Sequence, residues 1–343
     1  MCVLQRKRNN TLYGQGAYVL IMNAFTLLKH ISFNGNIIPW NIDAFEYRGA
    51  VYPSMSSLIP DSVIDSSYSR LTEGYAFSLN GLHAYFVCSA TVPSGENTIQ
   101  YGGTYLIEYS MSSAWDRASL TYVRAMQLEA GTGSTHYTTL YSEHPGHKYR
   151  GPIQISPDGL HIYGAYTTYT GTTFLTFMSN ALRLYQYDLS TPYSLANVSA
   201  RKYSPVYTPT VNYQKTGGFF LNDTGTTVCI GFESNSAAFH QVQLTSPWDI
   251  STMPTTLSTE IEQNSIAPYS SHIDGIFIRS NGLQLFISRH MYIEVYEPAT
   301  TAWDFSDMVR VNTRDMKMYT SKLFFNEAGT VLFSNGLYRF SIF

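Results

Sequence analysis

The 343-residue chain is poor in charge: Lys, Arg, Asp and Glu together make up 13% of it, about half the usual share of a soluble domain. The net charge is −3, and no basic stripe is present, so nucleic acid is not an expected partner. Three cysteines, Cys2, Cys88 and Cys229, are too few and too scattered for a disulfide framework or a metal knot. No run is long and apolar enough to span a bilayer. The apolar stretch from Ala17 to Leu28 follows basic residues, but Asn23 interrupts it and no small-x-small cleavage site follows, so no signal peptide is expected. A G-x-S-x-G elbow, a phosphate-binding loop and a dinucleotide fingerprint are all missing.

What is abundant is aromatic. The chain holds 28 tyrosines, and aromatics are 15% of it. Tyr, Thr and Ser in place of Lys and Glu is a strand-forming composition. An apolar strand, a glycine turn and a second apolar strand recur, as AFSLNGLHAYFV around Gly81, IQISPDGLHIYGA around Gly159, FFLNDTGTTVCIGF around Gly225, IFIRSNGLQLFIS around Gly282 and LFFNEAGTVLFSN around Gly329. A weaker copy, LYGQGAYVLIM, surrounds Gly16. A second element alternates with the first: a strand followed by a polar connector carrying Trp40, Trp115, Trp248 or Trp303, with Tyr193 at the same place in one copy. Periodic hairpins of this kind predict an all-β fold, a β-propeller of about six four-stranded blades, with five or seven as alternatives. The whole chain, 1–343, reads as one propeller domain. Residues Val3–Arg8 resemble the fourth-strand segments, and an N-terminal strand is expected to close the ring and remove its exposed edges.

Strand order predicts which end of the ring is free to work. With strands a to d running outward from the axis, the glycine turns (a to b) and the aromatic connectors (c to d) share one end, which reads as scaffold. The opposite end takes the long insertions near 45–70, 89–104, 129–150 and 167–180. Tyr101, Tyr137, Tyr141, Tyr166, Tyr169 and Phe174 lie there, and aromatics on loops suit a sugar face or a protein partner. His83 and His161 repeat at one position and read as a structural slot. Next to Glu143, the two histidines His144 and His147 flank a Pro-Gly and show no obvious third metal ligand. Asp158, Asp223, Asp274 and Asn281 lie near blade turns, where such residues have local hydrogen-bonding work. No catalytic residue, metal or cofactor is therefore expected.

The pairing of SPDGLHIY (Ser156–Tyr163) with YDLSTPYSL (Tyr187–Leu195), and of SNGLQLF (Ser280–Phe286) with TSPWDIST (Thr245–Thr252), resembles propeller repeats in structural and tail-associated proteins of tailed bacteriophages. Departures are Tyr193-Ser194 in place of Trp-Asp, and Asn41 after Trp40. The resemblance implies a non-enzymatic virion component of tail, collar or fibre, made in the host cytoplasm and repeated by symmetry among other virion proteins. A host-surface glycan or receptor is a further implied partner; membrane insertion is not implied. The alternatives are a lectin-like propeller and a calcium-dependent propeller hydrolase.

Overall fold

The computed structural model describes residues 40–48, 58–95, 98–130, 135–137, 152–169, 180–207, 215–233, 238–256, 261–262, 273–305, 308–318, 322–334 and 338–341. Five antiparallel sheets form a five-bladed β-propeller. The first blade is β2 (Ser69–Phe77), β3 (His83–Gly95), β4 (Thr98–Met111) and β5 (Leu120–Ala130), with β6 (Thr135–Tyr137) added alongside β4. The second is β7 (Ile153–Ile155), β8 (His161–Tyr169), β9 (Asn180–Asp188) and β10 (Lys202–Tyr203). The third is β11 (Lys215–Leu221), β12 (Thr227–Glu233), β13 (Ala238–Gln243) and β14 (Ile261–Glu262). The fourth is β15 (Gly275–Ile278), β16 (Leu285–Arg289), β17 (Tyr292–Pro298) and β18 (Met308–Asp315). The fifth joins the two ends of the chain: β19 (Phe324–Phe325), β20 (Val331–Ser334) and β21 (Tyr338–Ser341) are completed by β1 (Glu46–Tyr47).

Six blades were the first expectation, and Trp40 explains the difference. The sequence places it in a first blade opened by Gly16. In the structure its N–H donates to the Gly329 carbonyl at 3.0 Å, in the last blade. The strand that follows pairs Glu46 with Ser341 and Tyr47 with Phe340. The repeat is therefore permuted across the chain ends, and the glycine turn of the last blade finds its connector near the start of the sequence. The fourth-strand place foreseen for Val3–Arg8 is taken by Glu46–Tyr47; Val3–Arg8 and Gly16 lie outside the described residues. Residues 89–104, expected as a loop, are mostly strand, since β3 and β4 stay paired out to Gly95 and Thr98.

One clasp recurs in every blade. Trp115, Tyr193, Trp248 and Trp303 donate their N–H groups to Gly81, Gly159, Gly225 and Gly282 at 2.8–3.0 Å, as Trp40 does to Gly329. All five aromatics are left-handed, with φ between 61° and 66°. Each ring lies flat against its glycine: a Cβ on Gly225 would sit 2.2 Å from the Trp248 ring.

The other side of each ring meets the preceding blade. Tyr193 stacks on His83 at 5.4 Å and Trp248 on His161 at 5.9 Å. Trp303 stacks on Phe220 at 6.4 Å, Trp40 on Phe277 at 6.1 Å, and Trp115 on Phe333 of the last blade at 6.4 Å. Two residues beyond the aromatic, the backbone N–H groups of Leu195, Ile250 and Phe305 donate to Glu108, Gln186 and Gln241 of the preceding blade. The wedge is thus both apolar and hydrogen-bonded.

Because Trp40 closes the ring, Trp40→Ala should destabilise as much as Trp303→Ala inside the chain, each by about 3–5 kcal/mol in urea unfolding. A Trp40→Ala protein within 0.5 kcal/mol of wild type would contradict closure at Gly329. Gly225→Ala should lose at least ~1 kcal/mol from the left-handed backbone alone, and more from the displaced indole.

Candidate functional site: the axial cavity

The first strands of the five blades surround the axis and line a cavity of about 130 Å³. At one end these strands converge. A Cβ on Gly275 would lie 2.4 Å from the Lys322 backbone nitrogen, that nitrogen donates to the Asp274 carbonyl at 3.2 Å, and the Tyr75 hydroxyl donates to the Lys322 carbonyl. The wall is tied as well as packed: the Gln154 side-chain amide pairs with both the N–H and the C=O of Leu221, at 2.7 and 2.9 Å.

The other end opens at the glycine turns. There each blade offers the residue two places before its turn glycine: Leu79, Pro157, Asp223, Ser280 and Glu327, all of which line the cavity. One step deeper, three residues earlier in their strands, stand Gln154, Phe220, Phe277 and Phe324, while the first blade lines the cavity there with Tyr75 and Phe77. The five-fold repeat is therefore broken in two. Blades three, four and five give a polar residue over a phenylalanine; blades one and two give Leu79 and Pro157. The three phenylalanines form a continuous wall, with Phe220 5.3 Å from Phe277 and Phe277 5.9 Å from Phe324, both edge-on. Phe77 extends it at 5.2 Å from Phe324.

Asp223 and Glu327 sense each other across the mouth. Desolvation at the cavity rim, and then the Glu327 charge, raise the Asp223 carboxyl above its ordinary value. Both side chains remain open to solvent at the mouth. Among the described residues, the only cationic one lining the cavity is Lys322, at the convergent end. Among the described residues no group of three or more His, Cys, Asp or Glu is placed to hold a metal.

The residues singled out in the sequence fall elsewhere or have local roles. Tyr101 lies on β4, Tyr137 on β6, and Tyr166 and Tyr169 on β8, toward the end opposite the turns. Tyr141, Phe174, Glu143, His144 and His147 lie outside the described residues. Asp158 and Asn281 accept the N–H groups of Leu160 and Leu283 within their own turns. Asp274 accepts the His290 N–H at 2.6 Å. Cys88 and Cys229 are buried, and burial pushes the Cys229 thiol up. The sequence pattern alone marks Asp223 as an ordinary turn residue and does not single out Ser280 or Glu327. The signal that finds all three is the column two places before the repeated glycine. The end set aside as scaffold is the end where the cavity opens.

No family model matches the chain, and no curated protein matches it. Solved structures do. A "putative 6-phosphogluconolactonase" from Bacteroides uniformis ATCC 8492 is 15% identical with a TM-score of 0.36, over 83% of this chain and 66%, just under two thirds, of that one. The Dos1 propeller is 10% identical with a TM-score of 0.34, over 80% and 78%. A second "putative 6-phosphogluconolactonase", from Bacteroides fragilis NCTC 9343, is 10% identical with a TM-score of 0.35, over 71% and 86%. Two of these three are named as an enzyme and none as a virion component. The expectations of a non-enzymatic chain and of a phage structural role are corrected on that finding. At these identities and TM-scores no activity passes from those proteins to this chain.

A carboxyl group whose folded pKa is raised binds its proton more tightly in the native state, so stability falls as pH rises from the ordinary carboxylate value, about 3.9, through the raised one. Asp223→Asn should therefore raise the melting temperature at pH 7 and have little effect near pH 3. A melting temperature lowered equally at both pH values would show that Asp223 is held by a favourable contact instead.

Proposed function

We propose that the protein binds a small molecule in its axial cavity, admitted at the glycine-turn end. The observation that carries this reading is the divided mouth: Asp223, Ser280 and Glu327 face Leu79 and Pro157 above an aromatic wall. A site of this make-up holds an apolar or planar body by burial and orients it through few polar groups. The volume fits a single aromatic ring, since an apolar cavity of about 150 Å³ takes up benzene. The convergent end gives the ligand a floor, so one end of it is enclosed and the other meets the polar rim.

Benzyl alcohol is a suitable probe, with a ring for the wall and a hydroxyl for the rim. Titrated into protein labelled with 19F-phenylalanine, it should shift the resonances of Phe220, Phe277 and Phe324 and leave Phe239, in the third blade's core, unmoved. Filling the mouth by Ser280→Trp should abolish those shifts while leaving the unfolding transition in place. Shifts that survive Ser280→Trp unchanged, or that appear equally at Phe239, would remove the axial site.

A further inference from the structure

We infer that the ligand of the axial cavity is an organic cation, an ammonium carried on an apolar or aromatic body. This rests on the binding reading above and adds the charge of what is bound.

The argument begins with what the mouth lacks. Asp223 and Glu327 come from different blades, and no hydrogen bond or ion pair to either carboxylate is made among the described residues. Arg279, next to Ser280 in sequence, does not line the cavity. Its guanidinium lies 5.1 Å over the Trp40 ring and donates to the Gln284 side chain at 3.4 Å. Lys322 sits at the convergent end, where its backbone links neighbouring blades. Two like charges at the rim of an apolar cavity repel each other and lose solvation, and a positive group between them relieves both costs. An anionic ligand would meet that field head-on.

The wall supplies the second and independent reason. Beneath Asp223, Ser280 and Glu327, in the same three blades, stand Phe220, Phe277 and Phe324. Aromatic rings attract a cation to their faces, and the effect grows where water is excluded. A hydroxylated neutral ligand would have use for the wall, Ser280 and one carboxylate, but it would leave the second acid uncompensated. An alkyl- or arylammonium ion uses all of these: its charge sits between the acids, Ser280 accepts an N–H, and its body fills the aromatic cavity.

Three probes of one shape test this: benzylammonium, benzyl alcohol and benzoate, followed by the same 19F-phenylalanine shifts at pH 7.5. Benzylammonium should bind about tenfold more tightly than benzyl alcohol, and benzoate should bind most weakly. The preference should shrink in 0.5 M salt and vanish in the Asp223→Asn, Glu327→Gln double variant, in which the ammonium and the alcohol should bind alike. Equal affinity for the ammonium and the alcohol would overturn the cation assignment while leaving the cavity as a binding site. Binding of none of the three would overturn the binding reading itself, and the cation assignment with it. A preference for the cation that persists in the double variant would place the recognition elsewhere and overturn this assignment.

Discussion

The ring depends on a contact between residues with opposite conformational habits: a tryptophan held left-handed, and a glycine held left-handed beneath it. A bulky residue in that region costs roughly 1–2 kcal/mol, so five such residues would be a serious burden if nothing offset it. The offset is geometric. Turned this way, each ring closes over a glycine that has no side chain to displace it, and shows its other side to the preceding blade. The indole removes a large apolar area from water on both sides, at roughly 25 cal/mol per Å². Its own backbone N–H is spent on the glycine carbonyl, so the tight approach strands no donor.

This contact also decides the number of blades. Each aromatic reads one glycine below it and one blade behind it, so the set must close in a circle with no member left over. Five turn glycines and five connector aromatics do so. Trp40 stands far from Gly329 in sequence yet makes the contact that Trp303 makes with Gly282. Closure then uses the two ends of the described chain as one sheet, which gives the last blade its fourth strand.

The all-β class, the glycine turns and the equivalence of the four tryptophans with Tyr193 were legible because each is a local pattern repeated in one register. The blade count was not, because the repeat is permuted: Trp40 follows Gly16 in sequence, and nothing local says that its glycine is Gly329. The strand character of residues 89–104 was hidden by their Gly, Ser and Thr content, which reads as loop until the pairing of β3 with β4 is seen. The cavity mouth was hidden for another reason. Asp223 and Glu327 each look like turn residues, and only the ring brings blades three and five face to face.

Symmetry makes such a site readable once the ring is known. Five equivalent positions ask for five equivalent residues if their only task is to build blades, and most positions of this repeat comply: the glycine, the aromatic and the apolar strand neighbours stay nearly constant. The column two places before the glycine does not, as it runs Leu79, Pro157, Asp223, Ser280, Glu327. A turn needs neither two acids nor their separation from the apolar members, and desolvation, with the Glu327 charge after it, raises the Asp223 carboxyl. The fold supplies the rigid frame and the departures from its repeat supply the chemistry, as expected where function is grafted on a scaffold that serves many. The column also sits where the inner strands have not yet converged, so the least repetitive residues of the turns surround the one place on the axis wide enough to admit a ligand.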